Sequence, residues 1–342
     1  MKKRHAAREA HLLAMNLFAG AGGLALGVAR GGFSVVAANE WDADALATFA
    51  MNFPSVFVSS SDVRALELSP WRGRIDLLFG GPPCQPFSVA GHQKAQEDER
   101  DMLPAFIAAV SVIQPAAFLL ENVPGLASAR HREYLEEVLD QLRRLGYRVA
   151  DPQILDAASY GVAQHRRRIF IVGTANGEYE YPRPTHGPNR QHPYRSAGEE
   201  LENVPFDKPN RAKVTYARKP VLRPSPWAGM LVNGKGRPIN LTRPSPTIPA
   251  SAGGNRTHII DRQGILRRYH SHLQAGGSPR DGDVAGVRRL TVRESARLQS
   301  FPDWYQFSGT RSSQYRQVGN AVPPLLAEAV AGPLYQLMRE MP

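Results

Sequence analysis

The sequence of 342 residues predicts an α/β protein: a doubly wound, mostly parallel sheet followed by a smaller domain of irregular structure. Strand and helix patterns alternate through the first ~175 residues, which is typical of parallel strands joined by crossover helices. The predicted strands are short continuous apolar runs, as expected for strands that helices cover on both faces. The irregular domain is predicted because 14 of the 28 prolines lie between Pro182 and Pro279, where helical periodicity fades.

The elements of the first domain alternate in order along the chain. Helices are expected where apolar residues recur every three or four positions, and Gly146 is expected to cap one of them. The predicted strands are Leu12–Phe18, Phe33–Ala38, Val56–Val58, Ile75–Phe79, Ala116–Leu120 and Ile169–Val172. The predicted helices run from the glycine cluster after Phe18 to about Arg30, and then over Asp42–Asn52, Met102–Ile113 and Arg132–Leu145.

Beyond Pro182, regular structure is predicted only near the end of the chain. Helical patterns return at Thr291–Ser300 and over a final helix, Pro324–Met338. Some core for the irregular domain is expected from apolar residues: Trp227, Met230, Leu231, Ile239 and Ile248.

Composition excludes several classes of protein. With 42% hydrophobic and 21% charged residues the chain resembles a soluble, core-forming enzyme, and no stretch approaches the ~18 apolar residues of a membrane helix. The basic start is followed by Arg8, Glu9 and His11 rather than by an apolar run, so we expect no secretory signal. The single cysteine, Cys84, excludes an intramolecular disulfide and a zinc site of several thiolates. We therefore expect a cytoplasmic protein without a bound metal.

Positive charge is concentrated in one internal segment. Residues 183–297 contain 21 Lys and Arg but 8 Asp and Glu, a net charge of +13, whereas the rest of the chain carries −2. A polyanion is the partner that such a segment fits, with phosphate contacts supplying affinity but no sequence selectivity. Taken alone, the charge also fits an ordinary basic surface.

A glycine-rich turn after the first strand indicates a ligand that contains adenosine. Gly20, Gly22 and Ala25 match the Gly-x-Gly-x-x-Gly/Ala pattern, in which glycine allows a sharp turn and a close backbone approach. Glu40, 20 positions after Gly20, is suited to accept hydrogen bonds from ribose hydroxyls. A purely structural turn remains the alternative.

Two further residues follow the predicted second and third strands. Trp41 offers an aromatic face for adenine, unless it is a core tryptophan. Asp62 is placed to reach the adenine amino group.

Cys84 lies in a loop after the fourth strand, Gly80-Gly-Pro-Pro-Cys-Gln-Pro-Phe-Ser88. A cysteine is more often a small buried apolar residue, but this proline-stiffened loop offers no helix or strand face to bury the thiol. Because a thiol is mostly protonated at neutral pH, a nucleophilic cysteine needs nearby positive charge. We predict that Cys84 is a nucleophile.

Three charged residues complete a candidate reaction centre. Glu121 ends the next strand and is a candidate acid, with a capping or solvated carboxylate as the alternative. Arg166 and Arg168 precede the last strand, and alternation along an extended chain sends both to one side. A thiolate, an acid and a guanidinium together fit cytosine, with attack at C6, Glu121 at N3 and methyl addition at C5. A stacked base must leave its duplex before a thiol can reach it.

Six motifs in order make the sequence similar to bacterial-type DNA (cytosine-5)-methyltransferases over nearly the whole chain. Besides the loops above, Gln164-x-Arg166-x-Arg168 resembles the family block that orients cytosine. Residues 293–302 resemble the block that braces the recognition domain, and residues 317–324 resemble the last block, whose helix completes the cofactor pocket. Ala163 stands where the family often has proline, a departure that removes no catalytic group.

The resemblance implies roles for three sets of residues. Catalysis is assigned to Cys84, Glu121, Arg166 and Arg168. Binding of S-adenosylmethionine, the methyl donor, is assigned to Phe18, Gly20, Gly22, Glu40, Trp41, Asp62, Pro83, Leu103, Asn320 and Ala321. DNA binding is assigned to Gln85, Ser88, Arg100, Arg243, Thr247 and Arg256.

The resemblance also implies the S-adenosylmethionine-dependent methyltransferase fold and a division of the chain. Residues 1–182 are expected to form the catalytic and cofactor-binding domain, and residues 183–309 the target-recognition domain. Residues 310–342 are expected to hold a helix that returns to the first domain. The implied activity is methylation of cytosine C5 in a specific double-stranded DNA sequence, by an enzyme that is either an orphan or paired with a restriction endonuclease. The closed sheet and the single reaction centre favour a monomer, with a dimer as the alternative.

Three other functions fit part of the sequence. A nicotinamide-dependent dehydrogenase explains the glycine turn and Glu40, but not Cys84, Glu121 or the basic segment. A protein that only binds DNA has no need of Cys84, Glu121 and Arg168 together. Methylation of cytosine in RNA, by a tRNA methyltransferase of the same fold, is the strongest alternative, and the long basic segment favours duplex DNA over it.

Overall fold

The computed structural model describes residues 11–83 and 101–340, and it contains one large sheet. The strands of this sheet are β1 (Leu13–Leu17), β2 (Ser34–Asn39), β3 (Phe57–Ser59), β4 (Leu77–Gly80), β5 (Ala117–Asn122), β6 (Arg148–Val149), β7 (Gln153–Asp156) and β8 (Arg167–Thr174). Their order is β3-β2-β1-β4-β5-β8-β6, and β7 pairs with another stretch of β8.

The predicted sheet is confirmed, with one region that the sequence did not indicate. Strands β1 to β5 pair in parallel, whereas β8 runs antiparallel to β5, β6 and β7. Sequence analysis missed β6 and β7 because strands of two and four residues are too short to show an apolar period.

Helices cover both faces of the sheet. The helices among the described residues are α1 (Gly23–Arg30), α2 (Ala43–Asn52), α3 (Leu103–Ile113), α4 (Arg132–Arg144), α5 (Ala197–Glu200), α6 (Ile265–Gln274), α7 (Val292–Leu298), α8 (Arg311–Asn320) and α9 (Pro324–Glu340). On one face α1 and α9 share a hydrophobic core with the sheet, and on the other face α3 and α4 do so. The backbones of α1 and α9 approach so closely that a Cβ on Gly27 would lie 2.3 Å from the Cβ of Ala327. Gly146 follows α4 in the left-handed conformation, as expected of a capping glycine.

The region after Pro182 is irregular, as predicted, with short strands and few helices. Its strands are β9 (Tyr216–Val221), β10 (Met230–Val232), β11 (Ile259–Ile260) and β12 (Arg288–Arg289), which form two-stranded ladders. Sequence analysis missed α6, although its buried Leu266, Tyr269 and Leu273 have the spacing of a helix with one apolar face. Placing Met230 in the core was wrong: it is 40% exposed, while Leu231, which points to the other side of β10, is buried.

A third core connects the two regions. It joins Leu26 of α1 and Ala163 to Ile248 of the irregular region and to Tyr315 of α8. Within the described residues, no helix has the length and apolar character needed to cross a membrane.

Candidate active site

The candidate site lies at the edge of the sheet where β1, β2, β4 and β5 end. Because β8 runs antiparallel to β5, the beginning of β8 comes to this same edge. The register pairs Glu121 with Phe170 and Asn122 with Ile169. The acid at the end of β5 therefore meets the arginines at the start of β8.

Glu121 and Arg168 form a nearly buried ion pair. Glu121 Oε1 lies 2.8 Å from Arg168 Nε, and their side chains are 11% and 14% exposed. Burial raises the pKa of Glu121, against the opposing charges of Arg168 and Arg166. A carboxyl group with a raised pKa keeps its proton to higher pH, which suits an acid that donates to a ring nitrogen.

The loop after β4 begins directly against this pair. A Cβ on Gly81 would lie 2.6 Å from Glu121 Oε2, so a glycine there lets the loop and the carboxylate touch. Asn122 Nδ2 donates a hydrogen bond to the carbonyl oxygen of Pro82 over 3.2 Å. The predicted nucleophile and three predicted DNA contacts lie outside the described residues: Cys84, Gln85, Ser88 and Arg100.

Arg166 has different partners from Arg168. Its side chain is buried, and its Nη1 and Nη2 donate to the carbonyl oxygens of Ile248 and Gly319 over 3.0 and 2.6 Å. Arg168 thus faces the acid directly, whereas the hydrogen bonds of Arg166 go to two distant segments of backbone.

The predicted cofactor turn presents an open space and a carboxylate. Gly20 has a φ of +53°, and a Cβ there would meet nothing within 4 Å. Its N–H donates to Glu40 Oε2 over 2.7 Å, and the N–H of Asp42 donates to Glu40 Oε1 over 2.9 Å. Burial raises the pKa of Glu40, despite these hydrogen bonds. The open space beside Gly20 and the fixed carboxylate fit a ligand that brings ribose hydroxyls.

Phe18, Trp41 and Asp62 follow the ends of β1, β2 and β3. Trp41 is 76% exposed, so it is not a core tryptophan and its ring is free to stack. Asp62 follows β3 and pairs with Arg64, whose hydrogen bonds lower the pKa of Asp62 to about 2. Phe18 has a φ of +55°, a conformation that costs a non-glycine residue about 1–3 kcal/mol and is often found at functional sites.

Gly22 is required for packing, and its predicted contact with the cofactor stays a prediction. Its φ is +81°, and a Cβ there would lie 2.5 Å from the hydroxyl oxygen of Tyr305 and 2.9 Å from the ring of Phe53. The Tyr305 hydroxyl donates to the carbonyl oxygen of Ala21 over 2.6 Å and is fully buried. Sequence analysis missed Tyr305 because its partner lies 284 positions away in the chain.

The remaining predicted cofactor residues differ in exposure. Pro83 and Asn320 are exposed, and Ala321 is nearly buried at the end of α8. Leu103 has no exposed surface and belongs to the core under α3. Their contacts with a cofactor stay predictions.

The predicted DNA contacts of the second region lie on the surface. Arg243, Thr247 and Arg256 are all exposed. Thr247 is also held in place, since its hydroxyl donates to the carbonyl oxygen of His165 over 2.7 Å. This bond joins the irregular region to the stretch of chain that leads into β8.

Comparison with known proteins finds relatives that are named Type II methyltransferases. Type II methyltransferase M.AplI of Arthrospira platensis is 36% identical over 99% of this chain and 90% of its own length. Type II methyltransferase M.NgoMIV of Neisseria gonorrhoeae is 36% identical over 95% of this chain and 98% of its own length. A crystal structure described as a DNA modification methyltransferase encoded within an Escherichia coli prophage matches with a TM-score of 0.68 and 25% identity, covering 96% of this chain and all of that one.

The family comparison agrees with the geometry of the site. The model of the family described as C-5 cytosine-specific DNA methylase matches residues 13–336, which is nearly the whole chain. The sheet and its helices have the methyltransferase fold that the sequence predicted. The chain therefore belongs to the C-5 cytosine-specific DNA methylase family.

Proposed function

We propose that this protein methylates C5 of cytosine in a specific double-stranded DNA sequence, with the target base flipped out and bound covalently to Cys84. The observation that carries the proposal is the Glu121–Arg168 pair, which lies against Gly81, three positions before Cys84 in the sequence. N3 and O2 are neighbouring acceptors of cytosine, so a carboxyl group and a guanidinium in contact can hold both at once.

Each side chain has its own role in this reaction. The Cys84 thiolate forms a bond to C6, and the displaced electrons move through C5 and C4 to N3, which takes the proton of Glu121. Arg168 holds O2 throughout. Bound S-adenosylmethionine supplies an electrophilic methyl group. Once C5 carries the methyl group, N3 returns its proton to Glu121, and loss of the C5 proton to a base expels the thiolate.

Membership of a methyltransferase family implies S-adenosylmethionine as the methyl donor, and the described residues fit it. We assign the ribose to Glu40, the adenine ring to Trp41 and the adenine amino group to Asp62. Asn320 and Ala321 are assigned to the methionine end. The exposed indole of Trp41 and the empty space beside Gly20 support this assignment.

We propose the DNA-binding surface on the second region, with Arg243, Thr247 and Arg256 as contacts. The exposure of these residues and the net charge of +13 over residues 183–297 support it. We retain the division into residues 1–182, 183–309 and 310–342, a monomeric state and a cytoplasmic location as proposals. Relatives named Type II methyltransferases support a genetic pairing with a restriction endonuclease.

Transfer of labelled methyl groups tests the proposed function. The full chain is incubated with labelled S-adenosylmethionine and either DNA or RNA, beside its Cys84→Ser variant. We expect label in DNA cytosine with the wild type only. Equal labelling by Cys84→Ser would remove Cys84 as the nucleophile, and labelling of RNA alone would replace DNA as the substrate.

A further inference from the structure

Two distant stretches of chain lie side by side next to the candidate active site. One is the stretch 163–166 that leads into β8, and the other is the stretch 245–248 of the recognition region. They form a parallel bridge at Gln164 and Ser245. Five hydrogen bonds join them: Ser245 N–H to Ala163 O, His165 N–H to Ser245 O, Ile248 N–H to Gln164 Oε1, Thr247 Oγ1–H to His165 O and Arg166 Nη1–H to Ile248 O.

Arg166 extends this junction to a third segment. Nη1 donates to Ile248 O in the recognition region, and Nη2 donates to Gly319 O near the end of α8. Gly319 directly precedes Asn320, the residue assigned to the methionine end of the cofactor. One side chain therefore touches backbone on both the DNA-reading side and the cofactor side of the site.

The chemistry of the arginine side chain makes this a rigid link. A guanidinium is planar, with its donors in a fixed fork, so two carbonyl groups bound to it keep a fixed separation. Arg166 is 1% exposed, and a buried charge is costly unless its donors are paired. A lysine at this position would keep the charge beside Glu121, but its ammonium lacks the planar fork that reaches both carbonyls.

We propose that Arg166 is a positioning residue that holds the recognition segment 245–248 and the turn at Asn320 in fixed places around the Glu121–Arg168 pair. It does so without touching cytosine, which is left to Arg168. The proposal rests on the proposed function, and it replaces the catalytic role that sequence similarity assigns to Arg166.

Binding of S-adenosylhomocysteine to the full chain without DNA tests this link. Arg166→Lys is compared with Arg168→Lys, which makes the same change two positions away. We expect Arg166→Lys to weaken binding about tenfold, the effect of losing one buried hydrogen bond to a charged donor. Arg168→Lys is expected to stay within about twofold, since Arg168 faces the base rather than the cofactor turn. If Arg166→Lys binds like the wild type yet loses turnover on DNA, Arg166 acts on the base and the proposal is overturned.

A second variant tests the recognition side without altering a charge. Gln164→Met removes the acceptor of the Ile248 N–H, together with a buried amide nitrogen, Nε2, that has no partner within the described residues. We expect a KM for DNA several-fold above that of the wild type, with the affinity for S-adenosylhomocysteine within about twofold. An unchanged KM for DNA would contradict the link, and this result remains informative if Arg166→Lys fails to fold.

The two proposals can fail separately. The measurement on Arg166→Lys needs only cofactor binding, so it tests the link even if the substrate is not DNA. Conversely, methylation of DNA by the wild type together with unchanged binding by Arg166→Lys would leave the proposed function standing and remove the link.

Discussion

Gly20 and Gly22 of the cofactor turn provide a matched pair of alanine substitutions. Gly22→Ala is expected to lower the stability of the fold more, and Gly20→Ala is expected to weaken cofactor binding more. Both have positive φ, +53° at Gly20 and +81° at Gly22, so alanine at either costs about 1–2 kcal/mol of backbone strain. At Gly20 the new Cβ meets no atom within 4 Å, whereas at Gly22 it would lie 2.5 Å from the Tyr305 hydroxyl oxygen. Overpacking of this kind adds about 1–3 kcal/mol.

Gly20→Ala is therefore expected to lose about 1–2 kcal/mol of unfolding free energy, and Gly22→Ala about 2–5 kcal/mol. Cofactor affinity is expected to show the reverse order, because only the Cβ at position 20 enters the space proposed for the cofactor. A clash there worth about 1–3 kcal/mol weakens binding of S-adenosylhomocysteine by ~5- to ~150-fold.

Urea unfolding and calorimetric titration measure the two quantities on the same preparations. Wild-type affinity in Gly20→Ala would show that the cofactor does not lie beside Gly20. Equal unfolding free energies for the two variants would refute the packing of Tyr305 against Gly22.

Three further substitutions test individual contacts. Glu121→Gln is expected to bind DNA but to turn over about 10²–10⁴-fold more slowly, because the amide has no acidic proton for N3; near-normal single-turnover rates would remove the acid role. Tyr305→Phe leaves the carbonyl oxygen of Ala21 without its hydrogen bond. We expect the free energy of unfolding, measured by urea denaturation, to fall by about 1–3 kcal/mol. Wild-type stability would contradict that hydrogen bond. At Asp207, burial favours the neutral form, but hydrogen bonds from the Arg311 side chain and a backbone N–H keep the pKa below its usual value. The stability that this carboxylate contributes is present above the ordinary pKa of an aspartate and is lost as the pH falls. Asp207→Asn is therefore expected to lower the free energy of unfolding by about 1 kcal/mol at pH 7 and by less at pH 3. The same difference at both pH values would contradict the ion pair.

Short-range patterns in the sequence predicted most of the sheet domain. Continuous apolar runs predict β4 and β5 because parallel strands covered on both faces have no solvent side. The candidate acid at Glu121 followed from its place at a strand end, whereas its ion pair with Arg168 was not indicated by the sequence. In α6, by contrast, the apolar positions have helical spacing, but the helix lies in a proline-rich segment that the sequence indicated to be irregular.

The missed features depend on contacts between distant parts of the chain. Nothing near Gly22 indicates that Tyr305 fills the space above it, and nothing near Arg166 indicates that its donors reach Ile248 and Gly319. Local sequence shows which residues have reactive or charged groups. Tertiary packing decides which of them face a ligand and which hold backbone, and it gives Arg166 and Arg168 different partners.

Trapping of the covalent intermediate tests the central claim most directly. In DNA whose cytosines are replaced by 5-fluorocytosine, methyl transfer leaves no proton on C5, so the thiolate cannot be expelled. With S-adenosylmethionine present, the wild type is expected to form a denaturant-stable adduct with such DNA, and mass spectrometry is expected to locate it on Cys84. Full methylation activity on ordinary DNA without any such adduct would contradict the mechanism.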